Sequence, residues 1–379
     1  MITSIEVIPL RLPVAQELTI SRGSVGSPAT GAIHILVKVT NEKGVVGWGE
    51  ARPSPRWSYE TPESVVTTIA KYLAPAIMGM DERDLNEIHR KMNTVIAPGV
   101  QIGQPIAKSA VDIALHDLVC RERKFSLHTY LGSTDVREIK LGYVISAASV
   151  EEAVRQAEKG ISKGYHGFKI KTGIHPATDL EMVEEVARLG HGKYMWVDAN
   201  QGWDVETTLA FSRKMAKLGV NVLEQPFAAN DITGYQKAIA HSEIPIALDE
   251  SIYTATDLVQ FIKLKAIGGL VLKVCRVGGI LPSKEIYTIA RNEGLPLLGS
   301  GLTEGRISLT SSCHVFAAAG IQVPVDLNGP QFLADDMVKG SLEYPNQIVR
   351  LSGAPGIGVE PDEEKVERYR INFRDVFEG

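Results

Sequence analysis

Cysteine is scarce in this chain. Of 379 residues only Cys120, Cys275 and Cys313 carry a thiol, far apart and without any Cys-x-x-Cys pair. That excludes a disulfide framework and a thiolate zinc site, and the three are expected to be core thiols. No apolar run approaches the roughly 18 residues that span a bilayer. Glu6 also interrupts residues 1–12, where a secretory leader keeps an apolar core. No membrane partner is expected, and the expected location is cytoplasmic. A basic tract is missing too: 40 Lys plus Arg stand against 45 Asp plus Glu, a net charge of −5, so nucleic acid is not an expected partner. What is present is ordinary for a globular protein, with 44% hydrophobic and 22% charged residues. At roughly 150 residues per domain, the length suits two or three domains, or one large barrel with a smaller companion.

The chain changes texture near residue 125. Before it, residues 2–12 alternate as a strand, and 32–40 with 44–48 read as a hairpin turned at Asn41-Glu42-Lys43. Thr61-Pro62-Glu63 then opens a helix that should stop before Pro75. Helices over 84–92 and 104–123 follow, the second with an apolar stripe at Ile106, Ala110, Ile113, Ala114 and Leu118. Strands followed by helices describe an α+β domain over 1–125. Beyond it, strands are expected at 142–145, 167–171, 195–198, 220–224, 244–249, 269–273, 295–299 and 321–326. Each is separated from the next by room for one helix, such as 150–163 or 180–189. Eight βα units with right-handed crossovers close as a (β/α)8 TIM-type barrel over 126–330. Residues 331–379 hold a strand-like piece at 347–351 and a Gly/Pro turn at 354–358, and are expected to return to the N-terminal domain. The fold class expected is α/β, a barrel with an α+β capping domain.

Five of the apolar runs close on a charge. Lys171, Asp198, Glu224, Asp249 and Lys273 follow one another at spacings of 27, 26, 25 and 24 residues, about one βα unit each. One such residue is merely a strand reaching the edge of a core. Five at one spacing put charges at the carboxyl ends of consecutive strands, where barrels of this kind do their chemistry. Asp198, Glu224 and Asp249 offer only hard oxygens, which suits Mg2+, with Mn2+ as a substitute and zinc disfavoured. Three protein ligands leave room for a carboxylate substrate, on which the ion stabilises developing charge. Lys169 and Lys171 are two apart, so they point to the same side of one strand. Their mutual repulsion and a nearby cation are expected to lower an amine towards neutrality, so that one acts as a base. Lys273 stands on the sixth strand, across the mouth from the second.

The motifs Phe168-Lys169-Ile170-Lys171-Thr172-Gly173, Val197-Asp198-Ala199-Asn200-Gln201-Gly202-Trp203, Glu224-Gln225-Pro226, Asp249-Glu250-Ser251, Lys273-Val274-Cys275-Arg276-Val277-Gly278-Gly279 and Pro355-Gly356-Ile357-Gly358 resemble the enolase superfamily. Within it they resemble the muconate-lactonizing (muconate cycloisomerase) subgroup of the mandelate racemase/muconate lactonizing enzyme family. The resemblance covers nearly the whole chain and includes the capping domain. It implies that Asp198, Glu224 and Asp249 bind Mg2+, that Lys171 is the base on one face and Lys273 the acid/base on the other, and that Lys169 tunes Lys171. Use of a Lys or His base with Mg2+ in these enzymes is a general property of the superfamily. The mandelate racemase subgroup takes a His from strand seven. Gly299-Ser300-Gly301-Leu302-Thr303-Glu304 contains none, which argues against that subgroup. The resemblance also implies a homo-oligomer.

The reaction is less constrained. The subgroup includes cycloisomerases, dehydratases of o-succinylbenzoate or hydroxyproline type, and amino-acid or dipeptide epimerases. Dipeptide epimerases carry Asp-x-Asp at the end of strand eight and muconate enzymes Glu-Leu-Phe-Gly; here stands Asp326-Leu327-Asn328, which matches neither. A carboxylate facing the mouth favours an amine near the reacting carbon, so the leading expectation is 2-epimerisation or racemisation of an amino-acid-type substrate, proline-like or dipeptide included. Asp326, Asn328 and Asn200 are candidate substrate contacts, although Asp326 and Asn328 also suit a turn cap. Glu304 resembles the cycloisomerase Glu after strand seven, or serves as an acid at a helix N-terminus. Arg276 binds a second carboxylate or forms a surface ion pair. Loops 16–30 and 52–59 should close over the mouth, with Trp57 and Tyr59 stacking on a substrate or packing between domains. His314 is expected to be a satisfied interior histidine. A non-catalytic barrel that only binds ligand is the remaining alternative, and the paired lysines weigh against it.

Overall fold

The computed structural model describes residues 1–20, 22–99, 102–133 and 138–378. Ser21, within the expected 16–30 loop, residues 134–137, near the start of the expected barrel span, and Gly379, at the end of the expected C-terminal segment, lie outside them. No helix among the described residues is long and apolar enough to cross a membrane.

Alternation builds the first sheet. β1 (Ile2–Leu12) leads through a short hairpin, β2 (Leu18–Ile20) and β3 (Gly23–Gly26), into β4 (Ala32–Asn41) and β5 (Val46–Ala51). β4 lies between β1 and β5, antiparallel to both. It is apolar on both faces: Ile35, Val37 and Val39 join one core and Leu36 the other. Five helices follow, α1 (Pro62–Thr67), α2 (Ala74–Ile77), α3 (Leu85–Val95), α4 (Pro105–Arg123) and α5 (Leu127–Tyr130). α4 packs backbone against backbone on β5, because Gly47 and Gly49 present no side chain there. A Cβ at Gly49 would stand 1.9 Å from the Ala110 carbonyl oxygen. The helix expected to stop before Pro75 continues instead. Thr68–Leu73 widen into a π turn in which the Ala74 N–H reaches back to Ile69, and Pro75 falls in the first turn of α2, where no N–H is required.

The second unit alternates strand and helix. After β6 (Glu138–Lys140) come β7 (Tyr143–Ile145), α6 (Val150–Ser162), β8 (Gly167–Lys171), α7 (Pro176–Leu189), β9 (Tyr194–Asp198), α8 (Val205–Lys217), β10 (Val222–Glu224), α9 (Ile232–His241), β11 (Ile246–Leu248), α10 (Ala255–Lys263), β12 (Gly269–Leu272), α11 (Ile280–Asn292), β13 (Leu297–Gly299) and α12 (Arg306–Ala319). β7 to β13 form one curled parallel sheet of seven strands among the described residues, in chain order. Inside the curl Trp196, Val222, Ala247, Val271 and Leu298 pack as a layer. The eighth strand expected at 321–326 is a correction. Two isolated bridges, Leu141 with Val325 and Ser300 with Asp326, close the curl in its place. Pro324 has no N–H to donate, which confines the ladder to Val325 and Asp326, whose N–H groups bond Lys140 and Gly299 at 2.9 Å.

After α13 (Gly329–Phe332), β14 (Ile348–Arg350) pairs antiparallel with β6. Gly356 exchanges backbone hydrogen bonds with Phe125 and Leu127, both at 2.8 Å. α14 (Glu363–Tyr369) precedes Arg370, which bridges to Leu10 of β1, and α15 (Phe373–Glu378) ends the described chain. The three cysteines are buried and free.

Candidate active site

Strand register sets the height of the charged groups. Lys171 pairs with Asp198 between β8 and β9, and Asp198 with Glu224 between β9 and β10. Asp249 and Lys273 stand one residue beyond β11 and β12. Asn200, Gln201 and Gln225, just past Asp198 and Glu224, hold φ of 43°, 67° and 38°. Left-handed backbone at three non-glycine positions is strain concentrated where side chains must be aimed. Gln225 secures the next loop by accepting from the Asp249 N–H at 2.9 Å and bonding the Ser251 hydroxyl.

These five groups converge with Lys169 and Asp326 in a charged cluster, nearly all of it buried. Lys169 Nζ lies 3.1 Å from Asp198 Oδ2, 2.9 Å from Glu224 Oε2 and 2.9 Å from Asp326 Oδ2, with the Trp196 ring centroid at 4.3 Å. Lys171 donates to Asp198 Oδ2 at 2.7 Å and to Asn200 Oδ1 at 3.2 Å. Lys273 donates to Asp249 Oδ2 at 2.6 Å. With no metal cation among them, the carboxylates act strongly on two of these amines. Burial pushes Lys169 down, but Asp326, Glu224 and Asp198 outweigh it and hold the amine well above its ordinary value. Lys273 is raised as well, Asp249 overcoming burial. Glu224 rises to about 8, first through burial and then through Asp198.

The donor set fits a hard divalent ion. Asp198, Glu224 and Asp249 supply only carboxylate oxygens, and beside them the buried Glu250 Oε2 has no hydrogen-bond partner. As they stand, no three metal-binding groups among the described residues are close enough to enclose an ion. The ammonium groups of Lys169, Lys171 and Lys273 sit on the carboxylates instead.

Above this cluster lies a cavity of about 40 Å³ bordered by Lys171, Lys273, Asn200, Asp326, Asn328 and Trp57. Its size suits a water or two, so a substrate has to displace the covering segments. Those are β2 with Arg22 from the first expected loop, and Arg56 with Trp57 from the second. Trp57 packs against the small apolar cluster that holds Leu18, Ile20 and Phe332, and lies 5.1 Å from the Arg52 guanidinium. Tyr59 points elsewhere, donating to the Ile102 carbonyl at 2.8 Å and stacking on Tyr253. Glu304 does not border the cavity; it lies behind Gly301, accepts from the Leu302 N–H, and is raised by burial. Asp326 is spoken for by Lys169, the Ser300 hydroxyl at 3.0 Å and Asn328 Nδ2 at 2.9 Å. Asn328 makes no side-chain cap to the helix that follows it. Arg276 is neither at the surface nor open to solvent: it is buried with Nε 3.2 Å from Asp249 Oδ1. His314 is interior as expected, bonded to Ile357 O and the His128 N–H and lowered to about 4 by burial. Sequence reasoning passed over Glu250, Arg22 and Arg56 as cavity residues. For Glu250 the signal was its place beside Asp249; for the two arginines only their loops were visible.

Comparison with known proteins agrees with this arrangement. The family model for the N-terminal domain of mandelate racemase / muconate lactonizing enzyme matches residues 4–132, and the enolase C-terminal domain-like model matches 152–365. The chain belongs to the enolase superfamily. Within the superfamily it falls in the muconate lactonizing enzyme subgroup. It is 29% identical to N-succinyl-L-Arg/Lys racemase of Bacillus cereus over 99% of both chains. With L-Ala-D/L-Glu epimerase of Clostridium acetobutylicum it shares 30% identity over 86% of this chain and 90% of that one. Chloromuconate cycloisomerase of Pseudomonas putida is 28% identical over 97% and 98%. The crystal structure of the Bacillus cereus racemase superposes with a TM-score of 0.91 at 28% identity, covering 98% of each chain. The protein is therefore an enzyme, of the racemase, epimerase or cycloisomerase kind found among these relatives of the enolase superfamily.

Proposed function

We propose that the enzyme racemises or epimerises the α-carbon of an amino-acid-type carboxylate, proline-like and dipeptide substrates included. The observation that carries this reading is that Lys171 and Lys273 border one cavity from β8 and from the end of β12, four strands apart in the curled sheet. An amine on each side of the reacting carbon lets a proton leave one face and return on the other. Lys171 acts on one face, oriented by Asn200, and Lys273 on the other, oriented by Asp249. Mg2+, the ion that enolase-superfamily members use, or Mn2+ in its place, would be held by Asp198, Glu224 and Asp249 and would supply positive charge for the substrate carboxylate and for charge developing on it. Leu18, Ile20 and Trp57 cover the site and exclude water. Lys169 keeps Asp326 and Glu224 in place beneath it.

The test is proton NMR of a panel of amino acids, N-acyl amino acids, dipeptides, hydroxyprolines and muconates with enzyme and Mg2+ in D2O. Loss of the α-proton signal without a new product supports the reading. A panel that keeps every α-proton overturns it. Cycloisomerisation is the second reading, favoured by the likeness to chloromuconate cycloisomerase across nearly the whole chain. A muconate in the same panel giving a lactone signal selects it.

A further inference from the structure

The helices outside the barrel differ in how they start; α7 opens on His175 without a side-chain cap and with Pro176 in its first turn. α6, α8, α9 and α10 open on Ser149, Asp204, Asp231 and Thr254, each of which caps its own first turn with its side chain. α11 and α12 open on Gly279 and Gly305, which have no side chain to offer. Some of their first N–H groups are met from the N-terminal domain, while the Arg306 N–H of α12 is met by Asp336 Oδ2 at 2.9 Å. Asp112, on α4, accepts from the Ile280 N–H. Glu50, on β5, accepts from the Gly305 N–H at 2.7 Å and the Ser308 N–H at 3.0 Å. Both carboxylates are fully buried. Each is itself held, Asp112 by His89 and His116 and Glu50 by His34 Nδ1 at 2.7 Å. The two glycines make room for the incoming groups: a Cβ at Gly279 would lie 2.3 Å from Asp112 Oδ2, and one at Gly305 would lie 2.9 Å from Glu50 Oε1.

The segments that lead into these two helices are the ones that line the mouth opposite β8. The first carries Lys273 and Arg276, the second Gly301, Leu302 and Thr303. The first is a tight turn. Arg276 N–H bonds Lys273 O at 3.0 Å and Gly279 N–H bonds Val274 O at 2.9 Å, so a shift of the α11 terminus is passed directly to Lys273. Lys171 is anchored differently, inside the barrel: Asp179 on α7 accepts from the Gly173 N–H at 2.9 Å and from Trp203 Nε1 at 3.0 Å.

We propose that Asp112 and Glu50 are positioning residues through which the N-terminal domain sets the Lys273 side of the mouth, while the turn that follows Lys171 is held by Asp179 of the barrel. Docking of the two domains then completes one half of the proton-transfer apparatus. Its catalytic consequence rests on the two-lysine reading above.

The experiment compares full-length wild type, Asp112→Asn and Glu50→Gln. In amide hydrogen exchange, Asp112→Asn is expected to speed exchange in residues 274–282 about tenfold or more, and Glu50→Gln in 301–309, with 167–173 within about twofold of wild type. In D2O with Mg2+ and each enantiomer of N-succinyl-lysine, Asp112→Asn is expected to slow α-proton exchange about tenfold or more for the enantiomer whose exchange Lys273→Ala abolishes. The other enantiomer stays within about twofold. Unchanged or uniformly raised amide exchange overturns the inference, as does equal slowing of both enantiomers. If wild type exchanges neither enantiomer, the two-lysine reading fails for that substrate, while the amide-exchange comparison still decides whether the carboxylates position the loops.

Discussion

Lys169 and Asp326 are paired at 2.9 Å beneath the cavity, joining the second strand of the curled sheet to the segment that closes it. The pair belongs to a knot in which one ammonium serves three buried carboxylates. Removing a member of such a group leaves unpaired buried charge, which costs far more than the pair contributes over an apolar replacement.

Lys169→Met is therefore expected to destabilise the metal-free protein by about 3–5 kcal/mol. Thermal unfolding in chelator and in excess Mg2+ checks it. The deficit should shrink with Mg2+, because a cation on Asp198 and Glu224 replaces part of the lost charge. An equal deficit in both conditions contradicts the assignment of those carboxylates.

Mg2+ binding to the folded state alone should raise wild-type stability, by about 2.7 kcal/mol at a concentration a hundredfold above Kd. Asp249→Asn replaces one of the three proposed ligands. In that variant the Mg2+ dependence of the unfolding midpoint should largely vanish, and a midpoint that still climbs like wild type rejects Asp249 as a ligand.

Glu60 ties the second covering loop to α4 by accepting from the Ile106 and Ala107 N–H groups at 2.7 and 3.0 Å. Burial, only partly countered by those two N–H groups, lifts its pKa to about 7. An acid raised on folding favours the protonated folded chain, so its contribution is complete below the unfolded value and is lost as pH rises through about 7. Urea unfolding between pH 5 and 8 should show wild type losing on the order of 3 kcal/mol relative to Glu60→Gln. Parallel profiles contradict it.

Gly49→Ala would place a methyl 1.9 Å from the Ala110 carbonyl oxygen. Backbone on both sides leaves no rotamer to relieve the clash, and the expected loss is about 3 kcal/mol or more by urea unfolding. A loss under about 1 kcal/mol would mean that α4 and β5 separate easily.

Much of this was legible in the sequence, for a definite reason. β8 has the expected bounds, and of the five charges closing apolar runs Lys171, Asp198 and Glu224 stand in one register, with Asp249 and Lys273 one residue beyond their strands. Periodicity and spacing are local, and they report strands and their ends. The missing eighth strand turned on one N–H absent from Pro324, and the continued helix on a π turn at Thr68–Leu73. The charge state of Lys169, the burial of Arg276 and the commitment of Asp326 depend on partners from several strands at once. Glu50 and Asp112 were invisible because the groups they cap lie 255 and 168 residues away.

The two-lysine account is tested most directly by α-proton exchange in D2O with Lys171→Ala and Lys273→Ala, each given both enantiomers of a substrate that wild type racemises. Each variant should lose racemisation yet still exchange one enantiomer, and the two variants should retain opposite ones. A variant that racemises at the wild-type rate, or two variants that retain the same enantiomer, contradicts the assignment of one lysine to each face.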